Sequence, residues 1–205
     1  GDPARATAAV IGLAVFGVMV NSLFQFAVEV SQARERPWGS FTRTLPGGAG
    51  PRFTSYLLSS GVLAVASIIP LLLLAAFTTE ATLDWPELLV GIITLVVTAI
   101  PFMLLGIAIG YLLGSKAAVA VSQVLMLVLA FGGGLFMPAS TFPGWVDALS
   151  MLLPTRHALE IVTWSTGVGG QYLASSIMGW IGWTFGLAMS CAILAGRDPD
   201  KVYAS

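Results

Sequence analysis

Apolar residues in this chain gather into five long runs with almost no charge inside them: Ala8–Val30, Tyr56–Thr79, Leu88–Leu113, Ala117–Met137 and Ala174–Ala195. Each reaches or exceeds the ~20 residues that a helix needs to cross a hydrocarbon core. None alternates with the period of two that a barrel strand requires, so the runs predict helices, which satisfy their own backbone polar groups in lipid. A charge at the bilayer centre costs at least ~2.5 kcal/mol, which is why the charges collect between the runs. The expected fold class is all-α, a polytopic helical membrane protein with five spans. These form a single transmembrane domain over residues 1–205.

Composition then removes most function classes. With 57% hydrophobic and 9% charged residues, the chain has no room for a soluble catalytic domain. Cys191 is the only cysteine, which excludes a disulfide framework and a cysteine metal site. His157 is the only histidine and lacks an evident serine or cysteine partner, so it reads as a surface or loop residue. No catalytic residue and no metal site is expected. There is no GxxxxGK[ST] phosphate loop, so the chain itself is not expected to hydrolyse ATP.

The placement of charge sets an orientation. Arg34, Arg36, Arg43 and Arg52 lie between the first two runs, Lys116 between the third and fourth, and Arg197 and Lys201 after the fifth. Arg5 and Arg156 fall on the other side. The positive-inside rule places the richer side, with the C-terminus, in the cytoplasm. The acidic hairpin of Glu80, Asp84 and Glu87 then faces out, as does everything from Pro138 to Tyr172.

Three segments carry further information. The cytoplasmic segment 31–55 begins as a continuation of the first helix to about Arg36, where Pro37 ends it. It then offers Trp38, Phe41 and Leu45 among arginines, as a partner-binding loop or as a basic loop that only sets topology. The outer segment 138–172 is cut by prolines into two short amphipathic helices. They form a re-entrant hairpin, which needs protein cover or water, or an ordinary surface loop. In the first run Asn21, Gln25 and Glu29 are spaced i, i+4, i+8 and climb one helix face. They line a wet pathway or pair with neighbouring helices; a second candidate stretch for a pathway is Ser122, Gln123 and Met126. Weaker signals are two small-xxx-small patterns, Gly106–Gly110–Gly114 and Gly182–Gly186. Pro70 and Pro101 predict kinks.

The order Gly134-Leu-Phe-Met-Pro138, Phe142-Pro-Gly-Trp-Val146 and Leu152-Leu-Pro-Thr-Arg-His-Ala-Leu-Glu160 resembles the signature of ABC-2 type transporter permeases. The stretch from Arg34 to Pro46, with its acidic-basic pair, glycine and leucine-proline, is similar to the cytoplasmic loop of that family. The resemblance covers about residues 21–170. It implies a permease subunit of an ATP-driven exporter in a bacterial cell membrane, of the kind that moves drugs, lipids or lipid-linked glycans. It also implies six spans, a second permease copy or paralogue, and a separate nucleotide-binding ATPase carrying ATP and Mg, with no nucleic acid involved. Arg34, Glu35, Arg36, Trp38, Gly39, Phe41 and Arg43 are then the expected ATPase-coupling residues. The chain opens Gly1-Asp2-Pro3 without a methionine and lacks the family's first span, so a longer subunit is expected. A secondary transporter is the alternative, disfavoured by the lack of charges in the middle of the runs.

The orientation is open to a direct measurement. A cysteine replacing Asp147 should react with an impermeant thiol reagent from outside, and one replacing Arg43 only after permeabilisation. The reverse labelling pattern would invert the topology.

Overall fold

The computed structural model describes residues 3–35, 85–137, 141–170 and 172–196. The second apolar run, Pro70 and most of the basic loop, including Arg36, Trp38, Gly39, Phe41 and Arg43, lie outside the described residues. Seven helices occur among the described ones: α1 (Pro3–Glu35), α2 (Trp85–Thr98), α3 (Ile100–Leu112), α4 (Ser115–Gly132), α5 (Gly144–Ser150), α6 (Pro154–Ser165) and α7 (Leu173–Gly196). Four stretches among them are long and apolar enough to cross a membrane: Ala6–Glu35, Pro86–Leu112, Ser115–Gly132 and Leu173–Gly196.

Local chemistry explains where these helices stop. α1 continues past the apolar run to Glu35, as the distance to Pro37 predicted. The third run is one span broken at Ala99, because Pro101 in the first turn of α3 has no N–H to offer the preceding turn. The fourth run was expected to stay helical to Met137; instead α4 ends at Gly132. Gly134 adopts a φ of 77°, Leu135 N–H donates to Ala130 C=O at 3.1 Å, and Gly134 N–H donates to Phe131 C=O at 3.3 Å. This is a Schellman stop, which needs the left-handed residue that glycine supplies. α6 ends in the same way at Gly167, with Val168 N–H bonded to Thr163 C=O at 3.2 Å. A run of apolar residues therefore outlasts its helix by five positions.

α1 is the hub. It packs most extensively on α3 and next on α4. Its buried Val15, Val18, Met19, Leu23 and Phe26 recur at helical spacing and meet Phe102 and Met103 of α3. Lipid tails are as apolar as these side chains, so burial alone cannot drive such a contact; close packing must. The glycine stripe of α3 provides it. A β-carbon on Gly106 would stand 2.5 Å from the Leu23 carbonyl oxygen, and one on Gly110 would stand 2.7 Å from Val30 Cβ and 2.9 Å from the Ala27 carbonyl oxygen. The Gly182–Gly186 pattern of α7 differs, since a β-carbon on either glycine would meet nothing within 4 Å.

The two patterns should respond differently to a methyl group. Gly110→Ala should lower the stability of the detergent-purified protein by about 2 kcal/mol, the usual cost of overpacking a tight contact. Gly182→Ala should leave it unchanged or slightly raised. Equal effects on thermal unfolding at the two sites would contradict the close approach of α1 and α3.

Candidate functional site

Two constellations of polar groups stand at opposite ends of the bundle. At one end α1 finishes beside the turn that joins α3 to α4. Arg34 Nη1 donates to the carbonyl oxygens of Gly110 at 3.1 Å and Tyr111 at 2.5 Å, and the guanidinium lies 5.8 Å from the centre of the Tyr111 ring. Glu35 accepts from the Ser115 backbone N–H at 2.7 Å through Oε1 and from the Ser115 hydroxyl at 2.6 Å through Oε2. The cation thus satisfies carbonyls in the last turn of α3, where the helix dipole is negative. The anion satisfies the first amide of α4, where the dipole is positive. The Gly114 position before that amide has no side chain to cap it, and a β-carbon there would sit 2.9 Å from Glu35 Oε1.

At the other end α5 and α6 form a hairpin whose turn lies against α7. The Trp183 indole N–H donates to the Leu152 carbonyl at 2.9 Å. Trp183 lies ten residues into the 24-residue α7, which is about 15 Å along its axis and near its middle. The turn of the hairpin thus lies beside the middle of α7. Protein covers the hairpin's second helix: α6 packs on α7, α2, α1 and α4, and Pro154 to Ala158 are all buried, whereas Trp145 and Leu149 of α5 are exposed. Pro154 starts α6 at a position where its missing N–H costs nothing. The Thr155 hydroxyl donates to the Leu129 carbonyl of α4 at 2.8 Å and occupies the space that a β-carbon on Gly133 would need.

Arg156 binds the hairpin to itself. It is 6% exposed, and its Nη2 lies 3.0 Å from Glu160 Oε1 and 3.7 Å from Asp147 Oδ1 of α5. Its neighbour His157 is also 6% exposed, against the expectation of a surface or loop residue. The imidazole stacks where Gly179 of α7 lacks a side chain, and its Nδ1 is buried without a hydrogen-bond partner. Burial, with the charge of Arg156 added, holds its pKa below the usual histidine value. Neither residue stood out in the sequence; the signal was the Thr-Arg-His-Ala-Leu-Glu order after Pro154, with Glu160 four positions beyond Arg156.

The candidate pathway residues are distributed more loosely. Asn21 and Gln25 are half-buried and Glu29 is exposed along α1. On α4 Ser122 is fully enclosed, Gln123 beside it is exposed, and Met126 packs against the core. Both stretches belong to helices that touch. Of the expected coupling residues, Arg34 and Glu35 are the described pair, Arg34 reaching the Gly110 and Tyr111 carbonyls of α3 and Glu35 reaching Ser115 of α4.

A bundle of long apolar helices, one of them broken at Ala99, defines an integral membrane protein. Residues 2–166 match the model of the ABC-2 type transporter family, which is most of the chain, and the protein belongs to that family. A relative in Bacillus subtilis (strain 168), named "Putative transport permease YvfS", is 28% identical over 147 residues, covering 72% of this chain. The aligned part spans 60% of that relative's length. No solved structure matches the chain.

Removing the cation from the hairpin leaves the mostly buried Glu160 carboxylate without its partner and takes the nearest positive charge from Asp147. Arg156→Met should therefore destabilise the purified protein by roughly 3 kcal/mol, as for other broken buried ion pairs. Arg156→Lys should recover part of the loss. A melting temperature unchanged in Arg156→Met would mean that the ion pair does not hold the hairpin.

Proposed function

We propose that this chain is the membrane-spanning permease of an ATP-driven exporter. Family membership supports a transport role, and the observation that carries the coupled reading is the basic segment that leaves α1 at Glu35. It begins beside the α3–α4 turn and contains Arg36, Trp38, Gly39, Phe41 and Arg43, residue types suited to an acidic and aromatic protein surface. A separate ATPase subunit would dock there and supply ATP and Mg. The permease would act with a second copy or a paralogue, since α4 and α7 present long apolar faces, such as Val124, Leu127, Val128 and Phe131 of α4.

In this reading the Arg34 end and the C-terminus face the cytoplasm and the hairpin end faces out, following the excess of basic residues. The cargo is amphiphilic or hydrophobic, because the helices that would border its path are apolar apart from the Asn21–Gln25–Glu29 stripe. ATP binding and release would switch the bundle between inward-open and outward-open states by differential contact with the loop. An ion-coupled transporter would need an ionisable group free to exchange protons or ions near the midplane. Arg156, the buried cation near the hairpin turn, is instead held by Glu160 and Asp147.

Arg36→Glu and Trp38→Ala should each lower ATPase stimulation several-fold while membrane insertion and folded yield stay normal. The measurement is ATP hydrolysis by the co-purified ATPase together with its recovery on the tagged permease. Unchanged association and stimulation in both variants would return the loop to a purely topological role.

A further inference from the structure

The contacts of Arg34 and Glu35 have a consequence for how force would pass through the permease. Neighbouring helical residues point about 100° apart, so the two can reach different partners. They use this to cap two helices at once, Arg34 closing the end of α3 and Glu35 opening α4. Each charge meets the pole of opposite sign, and each hydrogen bond has a charged member, on side chains that are exposed to solvent. The pair also stands at the end of α1, next in sequence to the basic segment. Whatever moves the loop pulls first on these two residues.

The helix they hold is lightly anchored elsewhere. Only 22% of the most apolar window of α4 is buried, against 56% for α1. The far end of α4 meets the hairpin, through the Thr155–Leu129 bond and through Leu153, which packs where Gly132 has no side chain. α4 thus runs from the Arg34–Glu35 cap to the hairpin, past Ser122, Gln123 and Met126.

We propose that Arg34 and Glu35 are positioning residues for energy coupling: they lock the root of the basic loop to the α3–α4 turn, so that displacement of the loop moves α4 together with α1. This rests on the ATP-coupled reading above. In that role the pair does not contact the ATPase. The clasp stays closed through the cycle, and α4 carries the movement to the hairpin.

The test uses full-length permease with its ATPase in membranes, Cys191→Ser as background and Gln123→Cys, at an exposed polar position of α4, as reporter. N-ethylmaleimide labelling of the reporter is timed without nucleotide and after trapping with ATP and vanadate. The parental protein should show a nucleotide-dependent change in rate. Arg34→Gln and Glu35→Gln should shrink that change about fivefold or more, the lower range of a coupling energy between sites, while the ATPase stays bound and still hydrolyses ATP. In the pair Glu35→Cys and Ser115→Cys, without the reporter, a cross-link should form and leave permease-stimulated ATPase intact. A full nucleotide response in both glutamine variants, a silent reporter in the parental protein, or loss of stimulated ATPase on cross-linking would each overturn the proposal. Should the glutamine variants fold poorly, the cross-linked pair decides alone, because it replaces the ionic tie with a covalent one. A parental permease that retains no ATPase would instead refute the ATP-coupled reading itself.

Discussion

Everything in this bundle is arranged around the distance at which α1 and α3 approach. In a bilayer the solvent does not push helices together, so they associate only if their surfaces fit closely enough for dispersion and local hydrogen bonds to outdo contacts with lipid. Gly106 and Gly110 remove the two β-carbons that would hold the backbones apart. With that spacing set, Phe26 and Met19 can be wholly buried. Arg34 can then reach the Gly110 and Tyr111 carbonyls, and Glu35 can reach Ser115. A wider separation would leave those charges without their targets, and α4 without a cap.

The hairpin shows a second way of meeting the same constraint. Irregular backbone at membrane depth is tolerated only where other protein or water satisfies it. Here the Leu152 carbonyl receives the Trp183 N–H, the Leu129 carbonyl receives the Thr155 hydroxyl, and the two Schellman turns use up the last carbonyls of α4 and α6. The charged residues are enclosed as a set rather than singly. A lone Arg156 would be prohibitive in this setting, but Glu160 and Asp147 share its charge. His157 rests on a glycine that makes room for its ring.

These two ends give the ABC-2 type family fold of this chain a mechanical outline. One end ties the end of α1 to two helices through opposite charges, and at the other a short hairpin packs its second helix against the spans. α4 touches both. Its light burial is suited to an element that shifts between arrangements, because few packed contacts have to be broken for it to move.

The sequence by itself determined the class of the protein and the rough course of its spans. Run length and charge exclusion are one-dimensional properties, and the bilayer reads them as such. Pro37, Pro101 and Pro154 announced where helices would stop or start, and the motif from Gly134 to Glu160 announced the family. What the sequence could not settle was which of two equivalent-looking features is used. Gly106–Gly110 and Gly182–Gly186 read alike, yet one is pressed against α1 and the other has nothing within 4 Å. Arg156 and His157 read as residues of an outer loop, and only the fold of α5 against α6 and α7 buries them. Arg34 and Glu35 read as the end of a helix that leads into a loop, while their targets lie some eighty residues away. Such assignments depend on partners distant in the chain, and a partner's position is fixed by packing in three dimensions.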